Sequence, residues 1–283
     1  MRVVVASGKG GTGKTLVAAN LAAVVSGSRE VVLVDCDVEE PNLHLFFPSE
    51  TKTLPVLADV PVFDQLRCDH CGECARTCQY GAIVVLPQKN LFFPEMCHGC
   101  GGCEITCPQG AISMRKREVG RVEFSRPRCH LTLISGVLNE REVAAPRVIR
   151  EALLYAGGHP LVICDAPPGT ACPLVETLEG ADYCVLVTEP TPFGLHDLSL
   201  AAGVADVLGV PAGVVINRSM GEDGMVREFC RSKNIPVLWT IPFDRRIAEL
   251  ANDGKLLADG VPGIRELFLG LFAKVSGRGE PGA

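Results

Sequence analysis

Apolar residues fall along this chain in short runs, and most runs are followed by a stretch with helical spacing. Residues 2–6 (Arg-Val-Val-Val-Ala) read as a buried parallel strand that leads through a glycine-rich loop into a helical stretch from Leu16 to about Val25. Val31–Val34, Leu161–Cys164, Cys184–Val187, Gly213–Ile216 and Val237–Ile241 are further runs of strand length. The last three each precede a segment with helical spacing, near 194–207, 222–233 and 244–252. This alternation predicts an α/β fold with a mostly parallel sheet, helices on both faces and right-handed crossovers. A final helix is expected at Ile264–Val275; with only Arg265 and Lys274 as basic residues, its apolar face should pack on the sheet rather than on a membrane.

The pattern is interrupted between the second and third of these strands. Of the 14 cysteines in the chain, eight form two copies of one run, Cys68-x2-Cys71-x2-Cys74-x3-Cys78 and Cys97-x2-Cys100-x2-Cys103-x3-Cys107. Each run ends in a matching tail, Gln79-Tyr-Gly-Ala-Ile83 and Pro108-Gln-Gly-Ala-Ile112, so the segment is an internal repeat with a period of about 29 residues. A disulfide framework does not require this spacing. Paired CxxC elements also build tetrahedral zinc sites, but four cysteines per repeat with the last offset by three suit iron-sulfur clusters better. Gly72, Gly99, Gly101 and Gly102 let the backbone turn closely around a sulfur-rich core.

Residues 62–118 thus resemble the bacterial 2[4Fe-4S] ferredoxins. On that resemblance Cys68, Cys71, Cys74 and Cys107 hold one cluster, and Cys97, Cys100, Cys103 and Cys78 hold the other. Pro108 follows the family pattern after the fourth cysteine and Gln79 departs from it, which touches the chain path rather than ligation. His70 and His98 lie inside the runs at places that look equivalent, and are expected to shield or tune clusters rather than ligate them.

Chemistry of a second kind follows the first strand. Ser7-Gly-Lys-Gly-Gly-Thr-Gly-Lys-Thr15 stands between strand and helix as a phosphate-binding loop requires. Gly8, Gly10, Gly11 and Gly13, with Thr12 between them, allow backbone N–H groups to curl around phosphates. Lys14 is placed to reach the β and γ phosphates and Thr15 to ligate Mg2+. Acids end two other strands, Asp35 and Asp37 after one and Asp165 after another, at the edge where open α/β sheets bind ligands.

The second lysine of the loop, Lys9, gives a resemblance to the deviant Walker A ATPases of the MinD, Mrp and nitrogenase iron-protein type. It implies that Lys9 reaches across a dimer to the partner's nucleotide and that Lys9, Lys14 and Asp37 are the catalytic groups. Thr15, Asp35 and Asp165 serve Mg2+ on this resemblance, Gly169 senses the γ phosphate, and Asn217, Arg218 and Pro242 stand where the base is held. The absence of a guanine-reading NKxD motif favours ATP over GTP. Cys172, seven residues after Asp165, matches a cluster-ligating offset of the nitrogenase iron protein; the blander expectation, a small buried thiol, is preferred. Cys129 is its only upstream companion and a poor match. Cys36, Cys164, Cys184 and Cys230 are expected in the core. The CxxC of Mrp-type carriers near the C-terminus is missing.

Together these features predict residues 1–61 and 119–283 as the two parts of a P-loop ATPase domain and 62–118 as an inserted α+β ferredoxin-like domain. The flanks Pro48–Pro61 and Gly120–Arg128, rich in proline and charge, are expected to form two stalks. No apolar stretch approaches the ~18 residues of a membrane span, and the opening residues enter a strand rather than a signal segment, so a reducing cytoplasm is expected. A net charge of −6 argues against nucleic acid and favours a basic partner surface. The expected function is an ATPase, with ATP, Mg2+ and two 4Fe-4S clusters, that dimerises with a second copy or a paralogue and passes electrons to a redox or metallocluster-maturation partner. An Mrp-type cluster scaffold or carrier with an acceptor protein, and a MinD-like positioning ATPase with redox sensing, are the alternatives.

Overall fold

The computed structural model describes residues 1–277. One sheet of nine strands organises the molecule. It begins with β1 (Arg2–Ala6), an interior strand, followed by the loop and α1 (Lys14–Val25), then β2 (Val31–Asp35) and the short α2 (Leu43–Phe46). Two long strands, β3 (Lys52–Phe63) and β6 (Ile112–Arg128), enclose α3 (Glu73–Thr77), the hairpin β4 (Ile83–Leu86) and β5 (Lys89–Phe92), and α4 (Gly102–Ile105). The chain then forms β7 (Leu131–Leu138), α5 (Ala145–Ala156), β8 (Val162–Asp165), α6 (Cys172–Leu178), β9 (Tyr183–Thr188) and α7 (Pro192–Val207). It closes with β10 (Ala212–Ser219), α8 (Gly224–Ser232), β11 (Val237–Pro242), α9 (Arg245–Asn252), α10 (Leu257–Gly260) and α11 (Ile264–Val275).

The sheet order is β11-β10-β9-β1-β8-β2-β7-β6-β3, parallel through β7 and antiparallel for the last two strands. Central strands carry apolar residues on both faces because helices cover both. One core joins Val4, Val34, Cys164 and Leu186 to α5, α6, α7 and α8; the other joins Val3, Leu33, Ile163 and Val185 to α1, α10 and α11. Helix α11 buries Ile264, Phe268, Leu271, Phe272 and Val275 against α1 and β11, with Phe268 edge-on to Trp239 at 5.0 Å. Cys36, Cys164, Cys184 and Cys230 are buried as expected. Among the described residues no helix is long and apolar enough to cross a membrane.

The flanks differ from the expected stalks. Residues 52–63 and 112–128 form one continuous antiparallel ribbon, paired from Lys52–Phe124 out to Phe63–Ile112. Val56, Ala58 and Val60 are buried, alternating with the exposed Leu57 and the half-buried Asp59. Pro55 and Pro61 are tolerated because β3 is the edge strand and no further ladder needs their missing N–H. Only the root of the ribbon, from Gly120 onward, also pairs with β7. There Val56 pairs with Gly120 and Leu57 with Glu118, leaving Val119 as a bulge. The boundaries at 61/62 and 118/119 fall inside these strands. Strand β7 and helix α5 are absent from the sequence reading. Gly136 interrupts β7's apolar run because a Cβ there would lie 2.6 Å from Val38 Cγ1.

Candidate functional site: a phosphate loop and a ring of thiols

The loop Ser7–Thr15 leaves β1 at the carboxyl edge of the sheet and curls into α1, whose first-turn N–H groups point back into it. Gly11 and Gly13 have φ of 78° and 93°, and a Cβ on Gly8 would lie 2.1 Å from the Asp197 carbonyl of α7. Glycine is therefore required there by close approach as well as by turn geometry. Thr12 Oγ1 is buried without a hydrogen-bond partner, a polar atom left free for a ligand.

Lys14 and Asp165 form a buried ion pair at 2.6 Å, their side chains 7% and 1% exposed. Burial pulls the Lys14 ammonium down, but Asp165, with Asp37 and Asp35 behind it, outweighs this and holds the group above its usual value. Asp35 and Asp165 are register partners on adjacent strands. Burial, and next the Asp165 charge, push the Asp35 carboxyl up to about 8. Its oxygens accept from the amides of Asp37 (3.2 Å), Asn42 (3.0 Å) and Leu43 (2.9 Å), so Asp35 orients the turn that carries Asp37. Burial lifts Asp37 to about 6, with Lys14 opposing the shift and Asp165 adding to it. Three carboxyl groups and one ammonium crowd beside the Thr15 hydroxyl, which lies 3.4 Å from Lys14 Nζ. A hard divalent cation fits this oxygen set once phosphates supply the remaining ligands.

The cysteine runs repeat in backbone as in sequence. Left-handed φ values recur 29 residues apart: His70 (58°) with Gly99 (67°), Gly72 (81°) with Gly101 (76°), and Gly81 (64°) with Gly110 (57°). Turn hydrogen bonds recur too, Gly81 N to Cys78 O at 3.3 Å and Gly110 N to Cys107 O at 3.2 Å. His70 and His98 are therefore not equivalent: Gly99 is the repeat partner of His70 and Asp69 that of His98. His98 stacks on Tyr80, ring centroids 3.7 Å apart, whereas His70 Nδ1 lies 3.9 Å from Cys68 Sγ. Cys68, Cys71, Cys74 and Cys107 line one recess, walled by Val85 and Ile112. Cys97 neighbours Cys78 and Cys100, and Cys103 neighbours Cys97 and Cys100. All eight thiols are free, and burial pushes Cys103 up to about 11. Among the described residues no three His, Cys, Asp or Glu side chains stand close enough to hold a single metal ion.

Residues 3–257 match the CobQ/CobB/MinD/ParA nucleotide binding domain. The chain belongs to this family. Two uncharacterised proteins of Methanocaldococcus jannaschii are each 31% identical, one over 253 residues (88% of both chains) and one over 280 (97% of this chain, 96% of that one). The fold also resembles the septum site-determining protein MinD of Pyrococcus horikoshii in complex with Mg-ADP. The TM-score is 0.62 at 20% identity, covering 97% of this chain and 95% of that one.

In this nucleotide-binding domain the fold brings Gly8, Gly10, Gly11, Thr12, Gly13, Lys14, Thr15, Asp35, Asp37 and Asp165 to one edge of the sheet. Gly169 joins them, its N–H donating to Ser7 O at 3.2 Å. Lys9 is held within its own chain, 3.3 Å from Glu189, whose other oxygen pairs with Arg218 at 2.5 Å. Glu189 escaped the sequence reading although it, too, is an acid just past an apolar strand. Asn217 is 4% exposed and braces the loop, donating from Nδ2 to Thr12 O at 2.7 Å. Pro242 ends β11 opposite Ser219. Cys172 is exposed at the start of α6, contrary to the buried-thiol expectation. Cys129 lies in the turn before β7 at the amino edge, so the fold separates it from Cys172 at the carboxyl edge. A cavity of about 480 Å³ between α7 and α8 also opens at the amino edge and contains none of these groups.

Proposed function

We propose that the protein is an ATPase whose nucleotide state is transmitted to an inserted two-cluster module, residues 62–118, that passes electrons to a redox or metallocluster-maturation partner. The observation that carries this reading is the short connection between the two sites. Val38, next to Asp37, accepts from Leu138 N at 2.8 Å, and Asn139 N donates to Val119 O at 3.0 Å. Beyond it Arg117 grips Glu142 through both Nη atoms (2.5 and 2.8 Å) and donates to Pro94 O at 3.0 Å, three residues before Cys97. A change at the Asp37 turn on exchange of ATP for ADP therefore has a contiguous path to the second cysteine run.

The donor chemistry supports the cofactor assignment. Four thiols around one recess, from runs with the x2, x2, x3 spacing, suit the corners of a cubane. Cys68, Cys71, Cys74 and Cys107 would hold one 4Fe-4S cluster and Cys97, Cys100, Cys103 and Cys78 the other. Each supplies a one-electron redox couple when bound. Thr15, Asp35 and Asp165 would serve Mg2+. When ATP enters, Lys14 exchanges Asp165 for phosphate oxygens, and Asp37 is placed to accept a proton from the attacking water. Lys9 leaves Glu189 to engage nucleotide across a dimer. The setting is a reducing cytoplasm.

The test is anaerobic purification with iron and sulfide counting, then EPR of the dithionite-reduced protein with and without MgATP. About eight irons and an ATP-sensitive spectrum are expected; a colourless zinc protein overturns the reading, and a spectrum indifferent to ATP overturns the coupling. The carrier alternative draws on the exposure of Cys71 and Cys100 and is distinguished by rapid ATP-dependent loss of iron to an apo acceptor. The positioning alternative draws on the likeness to a MinD. It predicts ATP-dependent binding to lipid vesicles, against which stands the burial of α11's apolar face.

A further inference from the structure

The two thiol sets are unequal in their hydrogen bonding. Asn90 on β5 donates from Nδ2 to Cys68 Sγ at 3.2 Å, and its Oδ1 faces His70 Nδ1 at 3.2 Å. The imidazole N–H satisfies the amide oxygen, which fixes the amide with its NH2 toward sulfur. Ala111 N donates to Cys107 Sγ of the same set at 3.3 Å. In the other set the Gly99 amide approaches Cys97, but among the described residues no side-chain amide or imidazole hydrogen-bonds its sulfurs. The repeat explains why: the partner of His70 is Gly99, and the single hairpin β4–β5 lies between the runs and presents Asn90 to the first alone.

We propose that Asn90, oriented by His70, makes the Cys68/Cys71/Cys74/Cys107 site the first to accept an electron. The inference rests on the two-cluster reading above. Addition of one electron from an external one-electron donor makes the cluster and its thiolates more negative, with no ligand lost. An N–H donor to a ligand sulfur favours that reduced, more negative state and so raises the potential. Nearby charges do not cancel the difference. The guanidinium groups beside both sets are already paired with carboxylates, Arg67 with Asp64 and Arg76 with Glu73 at the first, Arg117 with Glu142 at the other. Asp69 opposes the effect from an exposed position, where solvent screens it. The favoured site is also the distal one. Gly99 of the other run is backed by the Asp59 backbone near the ribbon's root, where a Cβ would meet Asp59 O at 2.8 Å, while Ile112 beside Cys107 pairs with Phe63 at the tip. Electrons would therefore rest at the tip.

The experiment is an EPR-monitored dithionite titration of the full chain, reconstituted anaerobically with iron and sulfide. Wild type should show two midpoints. Asn90→Leu should retain full iron while the upper midpoint falls by roughly a tenfold change in electron partition, about 59 mV for a one-electron couple, and the lower one stays put. His70→Gly suits the left-handed backbone that Gly99 shares and should move the upper midpoint in the same direction by less. If Asn90→Leu takes up less iron, the smaller uncharged Asn90→Ala decides by the same shift. Full iron with unmoved midpoints, or movement of the lower one, overturns this inference alone. A wild-type chain that takes up no iron overturns the two-cluster reading and this inference with it.

Discussion

Around the phosphate loop the charged and polar groups are already paired within the fold: Lys14 with Asp165, Lys9 with Glu189, Asn217 with the Thr12 carbonyl, all on a sheet covered by helices on both faces. The cysteine module has little of this. Its own buried cluster is Cys74, Ile83 and Ile112, with Phe63, Ala75, Val85, Phe92, Cys103 and Cys107 packed partly against it, and Leu66 and Ile105 are almost fully exposed. A segment with so small a core needs staples, and its thiols are the groups placed to receive them. One site is thus held by the fold alone; on the two-cluster proposal the other would be held by what it binds.

The sharpest way to break this contrast is to remove each region's central group. Lys14→Met should reduce phosphate release from ATP by about 10²–10³-fold, the scale of losing one electrostatic stabiliser of the transition state. Its iron content, counted in parallel, should be unchanged. Chelation of iron should act in the opposite sense. Limited proteolysis of the stripped protein should cut within residues 64–111 while the nucleotide-binding domain stays intact; equal resistance in both states would remove the contrast. The third measurement is the urea midpoint of nucleotide-free protein in EDTA as a function of pH. Asp35 and Asp37 have folded-state pKa values of about 8 and about 6, raised above the unfolded carboxylate value. Their contribution is complete below the unfolded value and lost as pH rises through the folded ones, so stability should fall between about pH 4 and pH 8. Mg2+ with nucleotide should flatten that slope. The smallest effect belongs to Glu189→Gln. It frees Lys9 and Arg218 at a stability cost of ~0–1 kcal/mol, read as a shift of about a few degrees or less in melting temperature.

The same contrast explains what could be read in the sequence. The phosphate loop was legible because its glycines, lysine and threonine are contiguous and lie between an apolar strand and a helix. Asp35, Asp37 and Asp165 were legible as acids ending buried runs. The cysteine spacing announced its repeat. Asn90 could not be seen, since its meeting with Cys68 depends on how a hairpin folds over a turn 22 residues away. Glu189 has no fixed spacing from Lys9. The ribbon was misread because Pro55, Pro61 and the charged residues of its outer face carry the composition of a linker, which an edge strand tolerates and a central strand does not.

That ribbon gives the molecule a lever. From Val56, where it leaves the main sheet beside the Val119 bulge, β3 runs seven residues to Phe63, about 23 Å at the rise of an extended strand. A tilt of about 10° at the bulge would carry the tip some 4 Å sideways, close to one strand spacing. Because Val119 accepts its hydrogen bond from Asn139, one residue past the amide that holds Val38, such a pivot would lie beside the nucleotide site and its amplified motion would fall at the cysteines.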